Sequence, residues 1–185
     1  MFLREQAKGI WACDFVQLYD AWFRPLFAFF LIDHATRRVV HFGATRSPWD
    51  GWVAKQLRNA TPYGGDRTCY PGREARTSAL LFARVAEGVG IRVIRTPVRA
   101  LMANALCERF IGSVRRECLD HVLLTGEHHL ERVLREYVHY FNTERPHQGL
   151  GQATPIAQAQ PANTNAAIVA TPVLGGHHHA YRRAA

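Results

Sequence analysis

RTPVRALMANALCERFIGSVRRECLD, running from Arg95 to Asp120, is the stretch whose reading decides the fold. It reads as a strand end, a short proline-containing turn and then a helix. From about Ala103 the apolar residues Leu106, Phe110, Val114 and Cys118 recur every four positions, with Ile111 beside Phe110, which is one buried stripe of a helix. Glu108 lies off that stripe and shares its own face with Asn104, Gly112 and Arg115. A carboxylate beside an amide and a guanidinium suits a bound metal facing phosphate. The same residues also read as a solvated helix face with an intrahelical acid–base pair. The rest of the chain decides between the two.

Upstream, Ile91 to Ile94 is a short parallel-type strand feeding this helix, and Leu80, Leu81, Val85 and Val89 mark a helix that ends around Gly90. Ile10 to Leu18 is a compact apolar strand interrupted by one acid, Asp14. A carboxylate inside a buried strand needs a partner, and either a cation or a turn-capping position at the strand end supplies one. Leu26 to Ile32 and Arg38 to Thr45 form two further strands joined through Asp33 to Arg37, so Asp33 reads as a turn residue. Ser47 to Asp50 opens a helix whose inner face is Trp52, Val53 and Leu57. Residues 61–78 hold two prolines and three glycines without apolar alternation, which predicts no buried strand. Downstream, Leu130, Val133, Leu134, Tyr137, Val138 and Phe141 trace an amphipathic helix that ends before Arg145-Pro146. From Gly151 the composition predicts a flexible tail.

The 185 residues carry a formal charge of +8. Lys8 and Lys55 are the only lysines, so nearly all the positive charge is arginine, the residue that grips phosphate in a bidentate fashion. That balance favours a polyanionic partner. The four cysteines show no CxxC pair, and no secretory signal precedes them. They read as reduced, mostly buried thiols of a cytoplasmic protein, which argues against a disulfide scaffold. The most apolar run, Leu26 to Ile32, is too short to span a bilayer, and no membrane association is expected.

Four pieces together resemble the DDE-type integrase catalytic core of bacterial insertion-sequence transposases and retroviral integrases: IWACDF (10–15), IDHATRRVV (32–40), ANALCERF (103–110) and YFNTERPHQGL (140–150). The tail residues 172–183 also look like the end of such transposases. The resemblance runs from about Phe2 to Gln152. It implies an α/β, ribonuclease H-like fold, a mixed central sheet flanked by helices. It also implies an Asp, Asp, Glu triad holding two Mg²⁺ (or Mn²⁺) ions, which suits hard cations that activate a hydroxyl and stabilise a leaving oxygen. Asp14 matches the first aspartate and Glu108 the glutamate, so both are catalytic and metal-binding candidates. Asn104, Arg109, Arg115 and Arg116 become candidates for holding the DNA backbone. DNA, as element ends and target, and further copies of the chain are the implied partners, in the bacterial cytoplasm at the nucleoid.

One motif departs from the family. Counting back from Glu108 by the family's spacing lands on Arg73, inside residues 61–78, where no aspartate stands. Glu74 is adjacent and Asp66 lies upstream, and these are the candidate substitute carboxylates. A pair of compensating frameshifts would scramble such a stretch between two well-matched flanks, and translating the coding DNA in the other frames tests that reading. The expectation is a disrupted fourth strand and impaired strand transfer. The alternative is a non-catalytic DNA-binding or dimerising remnant. A ribonuclease H proper fits less well, because the ANA and RPHQG motifs are transposase features. The expected organisation is a leader at 1–9, an integrase core at 10–150 and a flexible tail at 151–185. The helix-turn-helix region that precedes such cores is expected to be absent.

Overall fold

The structure, a computed structural model, describes residues 9–61, 67–71, 84, 86–88, 90–93, 97–157 and 166–184. The chain forms two compact units, Met1–Glu131 and Arg132–Ala185. In the first unit, β1 (Ile10–Tyr19), β2 (Pro25–Asp33) and β3 (Val39–Thr45) make an antiparallel meander, followed by helix α1 (Asp50–Ala60). Then come β4 (Arg67–Pro71), β5 (Ile91–Val93) and helix α2 (Pro97–Glu117). The five strands form one sheet in the order β3-β2-β1-β4-β5, with β4 parallel to both β1 and β5. A mixed sheet flanked by helices is the expected α/β architecture.

The period-two pattern of β1 sorts its side chains between two layers. Trp11 and Cys13 enter a core with Phe29, Leu31, Val53, Leu57, Cys69, Ala86 and Ile91, and Phe15 and Trp52 pack at its margin. This is the face that α1 covers. Gly43 on β3 permits the approach: a Cβ there would stand 2.7 Å from Oε1 of Gln56 on α1, the oxygen that meets Nε2 of His41 at 2.7 Å. Ala12, Asp14 and Val16 point to the opposite face, where α2 packs.

The expectation that residues 61–78 supply no buried strand does not hold. Arg67–Pro71 pairs with Ile10–Cys13 on one side and with Ile91–Val93 on the other, and Cys69, Tyr70 and Pro71 are buried. The strand does not alternate, since its last three residues are buried in succession, and Pro71 lies beyond the β5 ladder, which ends at Cys69 opposite Val93. Proline and glycine outside these five residues masked the signal. The remainder of the expected helix around Leu80 to Val89 is described only at residues 84 and 86–88, which are helical.

A second anchor sits where β1 turns into β2. The buried Oδ1 of Asp20 accepts from the backbone N–H of Trp22 and of Arg24, each at 2.9 Å. Its Oδ2 accepts from Arg24 Nε at 2.9 Å and from Arg46 Nη2 at 2.7 Å. Arg46 follows β3, and its own backbone N–H donates to Glu127. One carboxylate thus ties a hairpin turn to the end of β3. Burial pushes the Asp20 carboxyl up, but the four donors, led by Arg46, outweigh it and hold it well below its ordinary 3.8. The unfolded chain therefore binds this proton more readily than the folded one. The resulting stability is complete above about pH 5 and drains away as pH falls through the unfolded value toward the folded one. Asp20→Asn is expected to lower the urea midpoint at neutral pH and to flatten its decline in acid. A mutant whose acid slope matched the wild type would show that another group carries it.

In the second unit, the C-terminal part of helix α3 (Glu127–Thr143) buries Val133, Leu134, Tyr137, Val138 and Phe141, the stripe that the sequence marks. Where composition suggested a flexible tail, β6 (Ile168–Val173) and β7 (His178–Arg183) pair as an antiparallel hairpin. Arg182 bonds Glu144, and the ring of His178 stacks on Tyr140 with centroids 5.0 Å apart. Residues 158–165 lie outside the described residues.

Candidate metal and nucleic-acid site

Asp14 sits near the middle of β1 with 4% of its surface exposed. Its antiparallel partner is Phe30 on β2, and side chains that pair in this way share a face. Phe30 meets Phe110 of α2 edge-on, with ring centroids 4.9 Å apart. The apolar stripe of α2 (Leu106, Phe110, Val114 and Cys118) is buried as the spacing predicts, so the helix is pinned to the face that carries Asp14. Oδ1 of Asp14 accepts from the backbone N–H of Phe15 at 2.9 Å. Glu108, two residues before Phe110, is exposed on α2.

Cys107 links the two carboxylates. It is fully buried, and burial pushes its thiol up, reinforced first by the charge of Asp14 and also by that of Glu108. Asp14 and Glu108 therefore bear on the same buried thiol from two elements, the strand and the helix. Cys13 belongs to the same neighbourhood. Burial raises its thiol first, followed by its contact with Cys69, whose Sγ is 3.2 Å away, and by the charges of Cys69, Cys107 and Asp14. All four cysteines are buried and unbridged, as their spacing implied.

The basic candidates separate by position. Arg109, Arg115 and Arg116 are all exposed on α2. Nη2 of Arg115 donates to the carbonyl of Gln17 at 2.9 Å, which fixes the outer turn of the helix to β1. Arg116 folds back over Gly112, where a Cβ would stand 3.1 Å from its Nη1. Arg109 is close enough to Arg37 for its charge, after burial, to lower the Arg37 pKa. Arg37 lies in the β2–β3 turn with φ 65 and was missed in the sequence reading. Its signal was the Arg37-Arg38 pair within the second motif. Burial first, and then Arg37, likewise lowers the neighbouring His34. Two guanidiniums brought together make a place for an anion. Asn104 belongs to α2, but its side chain lies outside the described residues, as do Asp66 and Glu74.

Among the described residues no group of three or more His, Cys, Asp or Glu is placed to hold a metal ion. Asp14 and Glu108 are hard oxygen donors on one face of the sheet. Mg²⁺ is commonly held by one or two protein carboxylates, with water and substrate phosphate completing its shell. The chemistry of Asp14 and Glu108 is that of the donors such an ion takes, and a second ion calls for a further carboxylate. No described helix is long and apolar enough to cross a membrane.

Comparison with known proteins agrees with this geometry. Residues 89–155, which include β5, α2 and α3, match the integrase core domain family. An uncharacterized 39.2 kDa protein of insertion element IS476 from Xanthomonas euvesicatoria is 27% identical over 90% of this chain and 48% of its own length. An uncharacterized 31.7 kDa protein of insertion element IS407 from Burkholderia multivorans is 27% identical over 79% of this chain and 53% of its own length. The chain thus spans about half the length of the curated relatives it matches. Among solved structures, the HTLV-2 integrase catalytic core in complex with magnesium, in a trimeric form, superposes with a TM-score of 0.57 at 15% identity. That match covers 79% of this chain and 92% of that one. A chain of the simian T-cell lymphotropic virus intasome in complex with PP2A regulatory subunit B56 gamma gives 0.59 at 14% identity, over 95% of this chain and 66% of that one. The fold is the ribonuclease H-like fold of retroviral integrase cores, and residues 89–155 are similar to the integrase core domain family.

Proposed function

We propose that this chain is the strand-transfer core of a transposase, acting by metal-dependent phosphoryl transfer on DNA, with its activity impaired at one carboxylate position. The observation that carries the reading is a buried strand carboxylate, Asp14, on the sheet face against which the helix bearing the exposed Glu108 is packed. Mg²⁺ or Mn²⁺ bound there would supply an activated hydroxyl nucleophile and charge stabilisation for an in-line displacement. Asp14 and Glu108 would hold the ion. Arg109 with Arg37, together with Arg115, Arg116 and Asn104, would hold the DNA backbone, element end or target, against the carboxylates. The HTLV-2 core, described in a trimeric form, supports self-association as part of the reading.

The strand geometry favours Glu74 over Asp66 as the third carboxylate. Pro71, the last residue of β4, pairs with Cys13, which adjoins Asp14. By chain length alone, Glu74 falls within about 11 Å of Pro71. Asp66 adjoins the other end of β4. There Thr68 pairs with Ile10, four residues before Asp14, or about 13 Å along the strand. A glutamate in place of an aspartate carries one more rotatable bond, so ligand geometry is looser and the rate is lower.

The test is cleavage and joining of labelled element-end DNA with Mg²⁺ and with Mn²⁺. Glu74→Gln is expected to remove what activity there is, and Asp66→Asn to leave it unchanged. The reverse pattern would overturn the assignment of Glu74. A second reading, a chain that binds DNA without cutting it, is supported by the two-carboxylate donor set among the described residues. Salt-sensitive DNA binding with no cleavage in either metal would select it.

A further inference from the structure

The turn between β1 and β2 carries side chains that neither the core nor the carboxylate site uses. Trp22 is 60% exposed and Phe23 is 85% exposed, while Leu123 and Tyr19 are also largely uncovered. The Ala21 N–H donates to the carbonyl of Leu124 at 2.7 Å, so Leu123 belongs to the same prominence. The Arg24 guanidinium lies over the Trp22 ring at 5.0 Å. The turn is held rigidly: Asp20 takes the amides of Trp22 and Arg24 through its carboxylate and that of Phe23 through its carbonyl. Phe23 has φ 58, a left-handed backbone that a bulky residue adopts at a cost.

We propose that this tip is a DNA contact in which Trp22 and Phe23 stack on or between bases while Arg24 faces the backbone. The inference rests on the proposed DNA reading and adds a contact remote from the carboxylates. Exposed rings paired with a guanidinium are what a base and its phosphate require, and stacking is tolerant of sequence. A few side chains on a turn cannot bury the roughly 1,200 Å² of a stable protein–protein interface, which disfavours a protein partner. The tip also continues the basic face of α2. Arg115 is bonded to Gln17, and β1 runs from there directly into the turn. Tyr19, the last residue of β1, stands five residues from Asp14. At about 3.3 Å per residue that is about 17 Å, the rise of about five base pairs. On the proposed reading, the tip thus lies about half a turn of duplex from Asp14.

The experiment uses the full chain and a fluorescein-labelled duplex containing 2-aminopurine. Trp22→Ala and Phe23→Gly are compared with Arg115→Ala, and thermal melts accompany each. Glycine suits the backbone of position 23, so Phe23→Gly removes the ring without threatening the fold. Combining the two tip variants is expected to weaken binding about tenfold or more, to leave the salt slope unchanged and to abolish the unstacking fluorescence. Arg115→Ala is expected to reduce the salt slope instead. Unchanged affinity and fluorescence in the tip variants would overturn the proposal. Loss of self-association in sedimentation at unchanged DNA affinity would also overturn it, making the tip a contact between copies. Tip-dependent binding without cleavage would uphold the tip and sink the strand-transfer reading. Wild-type protein that binds no duplex would sink both.

Discussion

Asp14→Asn is expected to lower metal-dependent strand cleavage by about a thousandfold in a protein that still folds. On the proposed reading, the carboxylate helps to hold an ion that stabilises transition-state charge by several kcal/mol, and about 4 kcal/mol of that corresponds to a thousandfold in rate. Asparagine keeps the shape and can still accept from the Phe15 N–H, but it carries no charge. The site around Asp14 is built from buried Cys13 and Cys107, whose thiols burial and the Asp14 charge hold in the neutral form. The substitution thus removes the charge that would hold the ion while keeping the hydrogen bond that orients the side chain.

A second readout needs no catalysis. At ten times its dissociation constant, Mg²⁺ or Mn²⁺ would stabilise the wild-type fold by about 1.4 kcal/mol, a rise in melting temperature of roughly 3–6 °C. Asp14→Asn and Glu108→Gln are both expected to abolish that rise. Glu108 is exposed, so its substitution alone should shift stability by no more than about 0.5 kcal/mol. A metal-induced shift that survived in both variants would place the ion elsewhere in the chain. Cleavage that survived in Asp14→Asn would remove the strand carboxylate from the chemistry.

The sequence was most legible where one face of an element had to be buried. The α2 stripe and the α3 stripe were both readable at single-residue precision, because helical periodicity leaves few alternatives. The three-stranded meander and its Asp33 turn were equally plain. The fourth strand was not, since its five residues do not alternate, and its flanking prolines and glycines outweigh them. The C-terminal hairpin was hidden for a different reason: its strands are almost wholly exposed, so burial leaves no pattern in them. At the site, the residues alone left Asp14 and Glu108 open between a metal-binding and an ordinary structural role, and the resemblance to integrase cores is what singled them out. Arg37 was overlooked because a turn arginine looks like any solvated charge until the fold brings it beside Arg109. Asp20 escaped notice for the same reason, its importance resting on Arg46, which is 26 residues away.

Phe110→Ala is expected to be the most damaging single change to the fold, at about 3–5 kcal/mol. Phe110 is 3% exposed, and its ring meets that of the fully buried Phe30 edge-on at 4.9 Å, so truncation removes apolar burial, leaves a cavity and forfeits an aromatic pair together. Against a total stability of about 5–15 kcal/mol, this is a large fraction, and it corresponds to roughly 6–20 °C in melting temperature. The consequence reaches the site, because Phe30 is the register partner of Asp14 and Phe110 sits two residues beyond Glu108. This aromatic contact holds the helix that bears Glu108 to the sheet face that carries Asp14. Phe110→Ala should therefore lose the metal-induced rise in melting temperature even under conditions where the protein remains folded. Leu123→Ala, an exposed control on the same unit, should cost no more than about 0.5 kcal/mol and keep the metal response. A Phe110→Ala protein that melted within a degree or two of the wild type would mean that α2 is held to the sheet by something other than this pair. One that lost stability but kept its full metal response would separate the fold of the sheet from the assembly of the site.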